Sequence, residues 1–405
     1  MDVLVSQFNR RLTSISLDLV RECINEVAWD ERLSAIIGPR GVGKTTLILQ
    51  YIKQHYANCL SEVLYATAES LYFAQNTLVD LAERFVTNGG KHLFLDEIHR
   101  YQNWSREIKL IYDTYPELKV TISGSSLLQI LNSEADLSRR CIWFNMQGLS
   151  FREFLQFYKG IDLPVASFDE ILFHTDEVCH EINTRCRPVP LFHEYLQVGY
   201  FPYYLEGEKR YYERVGNVID YVIGTELPMV CKVETVNVRK LQMLLNVVAG
   251  LVPYEVDISK IALMLQSSRN TVITYLRYLS MSKVINLLYS DTQSLKKVQK
   301  PDKMYLENPN MLYALCLEKA NIGTARETFV VNQLGYQHRI EYGKKNGDFK
   351  LDGKYVFEVG GATKSFDQVA DIPDSYILAD DIEWSIEKAA TMACRTTILM
   401  ECLTV

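Results

Sequence analysis

Gly38-Pro39-Arg40-Gly41-Val42-Gly43-Lys44-Thr45 is the stretch on which the fold turns. It fits G-x-x-x-x-G-K-[ST], the Walker A pattern, and lies between an apolar run, 33–37, and a stretch of helical spacing, 44–56. That strand-loop-helix setting is what separates a phosphate-binding loop from a chance match. Glycines let the backbone curl so that its N–H groups and the N-terminus of the next helix face phosphate oxygens. Gly38, Pro39, Arg40, Gly41, Val42, Gly43, Lys44, Thr45 and Thr46 are therefore the candidate nucleotide-binding residues. Lys44 would reach the β- and γ-phosphates. Thr45 would offer its hydroxyl to Mg2+, a hard ion that takes few protein oxygens and keeps several waters. Arg40 either approaches phosphate or stays solvated.

Outward from the loop, the first 150 residues alternate short apolar runs with helix-like spacing, the order that gives a parallel sheet covered by helices. Strands are expected at 33–37, 62–66, 92–95, 119–123 and 141–145, and helices near 44–56, 75–86, 104–114 and 126–131. His92-Leu93-Phe94-Leu95-Asp96-Glu97 reads as an apolar strand ending in two carboxylates, a Walker B element. Alternation turns the two in different directions, so Asp96 is assigned to the metal and Glu97 to the attacking water. The strand 119–123 runs into Ser123-Gly124-Ser125-Ser126, where Ser123 or Ser125 either senses the γ-phosphate or caps the next helix. Arg139 and Arg140 stand where a guanidinium could offset charge on a neighbouring subunit's nucleotide, or form a plain surface pair. His99, just after the two carboxylates, either touches the nucleotide site or, the favoured reading, is a surface loop histidine.

At 405 residues, two to four domains are expected. With 48% hydrophobic and 23% charged residues, disordered and fibrous classes are excluded. The net charge of −7, from 43 basic and 50 acidic residues, excludes a general polyanion binder, so any nucleic-acid contact must be a local patch. Nine scattered cysteines without a Cys-x-x-Cys pair argue against a disulfide framework or a zinc site. The first residues lack the basic start and apolar core of a secretory signal, and the longest apolar stretch, 241–252, is too short to span a bilayer. A cytoplasmic protein is expected, without membrane contact.

From 151 to 252 the pattern is helical, with tyrosine-rich clusters between Tyr195 and Tyr221 that read as core. Residues 255–303 give helix, polar turn, helix and strand, the order of a winged helix. They carry eight basic and four acidic residues, opposite in sign to the whole chain. The last hundred residues alternate again and form a separate α/β domain. The expected domains are a P-loop core over 1–157, a helical lid over 158–252, a winged helix over 253–304 and a C-terminal domain over 305–405.

Several blocks together resemble the AAA-type ATPases of bacteria and archaea that carry a C-terminal domain of uncharacterised function. They are 37–46, Leu95-Asp96-Glu97-Ile98 followed by Trp104, Ser123-Gly124-Ser125-Ser126, Leu149-Ser150-Phe151-Arg152-Glu153-Phe154, Gly199-Tyr200-Phe201-Pro202 and Thr271-Val272-Ile273-Thr274-Tyr275-Leu276. The resemblance covers most of the chain. It implies ATP as the nucleotide, with Mg2+, and Arg140 at the position of the family's arginine. It also implies a restriction-endonuclease-like last domain, whose usual motif is an aspartate followed by a strand with Glu-x-Lys. Here the matching residues are Asp348 and Glu358, while Gly360 replaces the lysine and Lys364 follows six residues after Glu358. Lys364 substitutes if the chain folds back; otherwise, and this is the favoured reading, losing the cation that polarises water and phosphate leaves an inactive, structural or DNA-docking remnant.

The function expected is Mg2+-ATP hydrolysis that switches how the chain engages a partner, with Glu97, Lys44 and Arg140 as catalytic residues and Thr45 and Asp96 at the metal. Double-stranded DNA, met through residues 255–303, is the favoured partner, and further copies of the chain are a second candidate. An ATP-controlled DNA nuclease and a nucleotide-binding interaction protein without turnover are the alternatives.

Overall fold

The computed structural model describes residues 1–126, 137, 139–231, 233–251, 254–290, 300–316, 320–344, 346–365, 367–382 and 394–399. They fold as two compact units, 1–148 and 149–405.

In the first unit β1 (Leu33–Gly38), β2 (Val63–Thr67), β3 (His92–Asp96), β4 (Lys119–Ser125) and β5 (Ile142–Asn145) form one sheet of order β2-β3-β4-β1-β5. Every pairing is parallel. A parallel sheet must be covered on both faces, and β1 is accordingly buried at each of its positions. The expected strands all appear, with ends moved by at most two residues. Four helices are described: α1 (Asp2–Ser14), α2 (Lys44–His55), α3 (Leu78–Thr87) and α4 (Trp104–Thr114). The expected helix at 126–131 lies, apart from Ser126, outside the described residues.

Helix α1 was not foreseen. It places Leu4, Phe8 and Leu12 at a spacing of four, on one buried face. Burying each contributes at most roughly 1.5–3 kcal/mol. Helix α3 starts at a capping box in which the Thr77 side chain accepts from the Asp80 backbone and the Asp80 side chain from that of Thr77. At the end of β1 the chain passes so close to Met146 that a Cβ on Gly38 would lie 1.9 Å from the Met146 carbonyl oxygen. Only glycine fits there.

The β2-β3-β4 core carries a buried histidine. His92 is fully buried, with its Nδ1 3.0 Å from the Tyr56 hydroxyl, its Nε2 2.9 Å from Thr121 Oγ1 and its ring stacked on Phe94. Burial, helped by the charge of Lys119, pushes it down from 6.5 to about 3. Between those values the unfolded chain binds a proton that the folded one refuses, so stability is full above pH 6.5 and is lost as pH falls toward 3. From pH 6.5 to 4.5 the loss from this site should be about 2–3 kcal/mol. Denaturant unfolding of the wild type and His92→Gln over that range should show a shallower pH dependence in the variant. Parallel curves would assign the acid sensitivity elsewhere.

The second unit opens with helices. Among them Pro188–Val198 and Tyr211–Tyr221 bury Phe192, Tyr195 and Tyr211, and Tyr200 in the turn between them is fully buried. The tyrosine-rich stretch thus puts Tyr195, Tyr200 and Tyr211 in the interior, while Tyr203, Tyr204, Tyr212 and Tyr221 are half-buried. Next, β6 (Tyr254–Glu255), β7 (Ile285–Leu288) and β8 (Lys303–Leu306) form an antiparallel sheet of order β6-β8-β7. Between β6 and β7 lie helices Ile258–Met264 and Arg269–Met281. Asp257 caps the first by accepting from the Ser259 and Lys260 backbones, and Ser268 caps the second by accepting from that of Thr271.

The last region holds β9 (Ile340–Tyr342), β10 (Phe349–Leu351), β11 (Tyr355–Gly360), β12 (Ser375–Ala379) and β13 (Cys394–Leu399) in the order β13-β12-β11-β10-β9. β9, β10 and β11 pair antiparallel, whereas β11, β12 and β13 pair parallel. Helix Ile322–Gln337 precedes the sheet and is largely buried. Among the described residues no helix is long and apolar enough to cross a membrane.

Candidate functional site

The sheet order sets β4 beside both β1 and β3, so the carboxyl ends of these three strands form one rim, where open α/β sheets bind ligands. The phosphate loop leaves β1, Asp96 and Glu97 leave β3, and Ser123 and Ser125 end β4. In the loop Gly43 has φ 99°, a left-handed conformation that favours glycine, directly before α2. Lys44 is buried, and its Nζ donates to the Gly38 and Pro39 carbonyls at 2.9 and 2.8 Å. The ammonium is therefore held inside the curl of the loop, where phosphate oxygens would replace those carbonyls. Thr46 points out to solvent.

Asp96 is the centre of the arrangement. It is 2% exposed, and its two oxygens take four donors. Thr45 Oγ1 donates to Oδ2 at 2.7 Å and the Tyr65 hydroxyl to the same oxygen at 2.6 Å. Ser123 Oγ donates to Oδ1, which also accepts the Glu97 N–H at 3.1 Å. All four donors are neutral, so they orient the carboxylate without cancelling its charge. A hydroxyl and a fixed carboxylate are the oxygen donors that a hard divalent cation takes, and the residues present fit Mg2+.

Glu97 follows with φ 54°, a conformation costly for a residue with a side chain. Its backbone N–H also approaches Ser123 Oγ at 3.3 Å. Burial raises the carboxyl above its ordinary range, opposed by the charges of Lys44 and Arg40 and reinforced by Asp96. His99 is not the surface loop histidine that the sequence suggests. Its side chain is 3% exposed, with Nε2 3.5 Å from Glu97 Oε2 and Nδ1 facing the Ser125 N–H at 3.5 Å. The short turn 98–100 after β3 folds it inward.

The two serines divide their work. Ser123 is bound to Asp96 and braces its carboxylate. Ser125 pairs across the sheet with Gly38, and its buried hydroxyl has no hydrogen-bond partner among the described residues. Arg140 forms a two-pronged pair with Asp113 on α4, at 3.1 and 3.2 Å. One of its partners is thus a carboxylate, and the Arg140 side chain is 25% exposed.

Sequence reasoning missed Tyr65, and it missed Arg21. The Arg21 guanidinium donates to the carbonyls of Val42, Gln147 and Gly148 at 3.3, 2.7 and 2.9 Å, tying the phosphate loop to the end of the first unit.

In the second unit Asp348 and Glu358 come together on β10 and β11: Asp348 Oδ2 accepts the Val359 N–H at 3.0 Å. Lys364 Nζ lies 2.5 Å from Glu358 Oε1. A Cβ on Gly360 would meet Lys364 Cβ, Cγ and Cδ at 2.7 Å, so the lysine side chain fills the space over the glycine that stands in the expected lysine's place. Among the described residues Glu358 Oε2 has no hydrogen-bond partner, although the residue is 2% exposed. Glu327 and Lys303 join the group unforeseen: Lys303 Nζ is 3.4 Å from Glu327 Oε2 and 4.0 Å from Asp348 Oδ1. Burial raises both Glu327 and Glu358. His193, Asp380 and Asp381 also converge, but Arg326 engages the two aspartates at 2.6 and 2.5 Å, which makes that group an ion-pair network.

Comparison with known proteins agrees with the first unit's geometry. Residues 30–155 match the AAA domain family, and residues 189–323 match a domain of unknown function (DUF8612). An uncharacterised protein of Methanocaldococcus jannaschii is 23% identical over 350 residues, which is 84% of this chain and 74% of that protein. Among solved structures, AMPPCP-bound DnaA from Aquifex aeolicus shares 15% identity over 64% of this chain and 85% of its own, with a TM-score of 0.27. C. elegans PCH-2 shares 18% over 32% of this chain and 38% of its own, with a TM-score of 0.23. At these scores the superpositions carry no argument. The matched AAA domain spans the phosphate loop, the end of β3 and the end of β4.

Proposed function

We propose that the protein binds and hydrolyses Mg2+-ATP and uses the nucleotide state to change how its second unit engages DNA. The observation that carries this is the rim just described: a buried lysine inside the phosphate loop, a fully braced Asp96 bonded to Thr45, and a half-buried Glu97 beside them. Backbone N–H groups of the loop and Lys44 would bind the β- and γ-phosphates. Thr45 and Asp96 would hold Mg2+, which when bound offsets phosphate charge. Glu97 would orient the attacking water in line with the γ-phosphate, take its proton, and be kept in place by His99. Ser125 would donate to a γ-phosphate oxygen. A second copy of the chain could present Arg140, because its pair with Asp113 is partly exposed and cheap to exchange.

DNA is the partner favoured by residues 255–303. Their two helices and three-stranded sheet support a winged-helix reading, and helix Arg269–Met281 leaves Arg269, Asn270 and Thr274 exposed. Phosphate release from Mg2+-ATP by the wild type and Lys44→Ala, with and without duplex DNA at two salt concentrations, tests both halves. Turnover should be lost in the variant and stimulated several-fold by DNA, with the stimulation falling at high salt. Equal turnover in Lys44→Ala would overturn the ATPase half, and indifference to DNA the partner half.

The last region supports a second activity: Mg2+-dependent cleavage of a DNA backbone by Asp348, Glu358 and Lys364. The favouring observation is Lys364, which occupies the space over Gly360 and so supplies the cation whose loss from the motif argued for an inactive remnant.

A further inference from the structure

We propose that helix α1 governs the metal-side carboxylate of the ATP site through Arg11 and Tyr65, which act as positioning residues for Mg2+-nucleotide binding. The inference rests on the ATPase reading above and adds to it residues outside the phosphate loop and the ends of β3 and β4.

Tyr65 stands on β2, the edge strand beside β3, and is 2% exposed. Its hydroxyl does two things at once. It donates to Asp96 Oδ2 at 2.6 Å and accepts from Arg11 Nη1 at 2.7 Å, with the guanidinium carbon 5.5 Å from the ring centre. Thr45 donates to the same Oδ2 at 2.7 Å. The oxygen that steadies the Thr45 hydroxyl is therefore fixed on its other side by the phenol. A phenol that accepts from a guanidinium is a stronger donor than an isolated one, because successive hydrogen bonds polarise each other. A full positive charge thus acts on Asp96 through one intervening hydroxyl, without competing for the space a cation would need.

Arg11 reaches this position because α1 is anchored by Leu4, Phe8 and Leu12, and Phe8 lies against the Tyr65 ring with centroids 6.4 Å apart. The residue itself is exposed. A ligand or partner that draws its guanidinium away would leave the phenol without its polarising donor, which makes α1 a place from which nucleotide binding can be set. Groups that orient a metal ligand are typically worth 10–100-fold in metal affinity.

The test separates this from plain packing. Tyr65→Phe keeps the ring and removes the hydroxyl; Arg11→Met keeps the stem and removes the charge. Binding of a fluorescent ATP analogue is titrated with Mg2+ and measured again in EDTA. Both variants should need about 10–100-fold more Mg2+ for half-maximal enhancement while binding in EDTA stays within twofold of wild type. The double variant should be no worse than Tyr65→Phe, and Arg11→Lys should recover most of the loss. Unchanged Mg2+ dependence in both single variants overturns the relay alone, as does an equal loss in EDTA. Wild-type binding that ignores Mg2+ overturns the relay together with the ATPase reading.

Discussion

Glu97→Gln is expected to bind Mg2+-ATP as the wild type does and to lose about 10^2–10^4-fold in turnover. The amide keeps the length and shape of the side chain, so neither the turn after β3 nor the brace on Asp96 should change. What disappears is the ability to accept a proton from water. The backbone at Glu97 is held at φ 54°, a strain of roughly 1–3 kcal/mol that the surrounding bonds must hold in place. Those bonds are present: the Glu97 N–H is shared between Asp96 Oδ1 and Ser123 Oγ, at 3.1 and 3.3 Å. The strain turns consecutive carboxylates to separate tasks, with Asp96 facing Thr45 and Glu97 facing His99. Single-turnover hydrolysis and analogue binding would be measured side by side. Hydrolysis within threefold of wild type would mean that another group activates the water, and parallel loss of binding would mean that Glu97 is structural.

The residues whose meaning depends on local order were legible in the sequence. The phosphate loop is a contiguous pattern, and β1 to β4 are buried runs because a parallel sheet hides both faces there, whereas edge strand β5 is exposed to half-buried. Asp96 and Glu97 stand out because two carboxylates end such a run. What escaped notice depends on pairs far apart in the chain. Tyr65 looks like any core aromatic until β2 is laid beside β3, and Arg11 like any surface arginine until α1 is docked. A signal for α1 was present in Leu4, Phe8 and Leu12, though nothing local says which face of the sheet they cover. His99 reads as polar and therefore exposed, yet the turn 98–100 folds it against Glu97. Ser123 and Ser125 are indistinguishable by type, and only the pairing of β4 with β1 and β3 assigns one to Asp96 and the other to Gly38.

Lys364→Ala and Glu358→Gln should each reduce Mg2+-dependent nicking of duplex DNA by at least about 10^2-fold, while ATP turnover at the separate phosphate loop persists. The motif as written lacks its lysine, because Gly360 stands at that position. The chain turns back after β11, so that Lys364 crosses over Gly360 and reaches Glu358 Oε1 at 2.5 Å. Glycine is what allows this: a Cβ there would collide with three Lys364 carbons at 2.7 Å. The other carboxylate oxygen of Glu358 is buried without a hydrogen-bond partner among the described residues, and leaving a charged group so is costly unless something binds it. Because the argument is steric, it predicts a rescue. Gly360→Lys alone should fold poorly, since its side chain and Lys364 claim one space. Gly360→Lys combined with Lys364→Ala removes the collision, returns the ammonium to the strand and should recover cleavage. Absence of nicking by the wild type would reduce the cluster to an internal ion pair. Nicking that survives Glu358→Gln would place the chemistry elsewhere, and failure of the double variant in a folded protein would show that Lys364 acts from a position the strand lysine cannot reproduce.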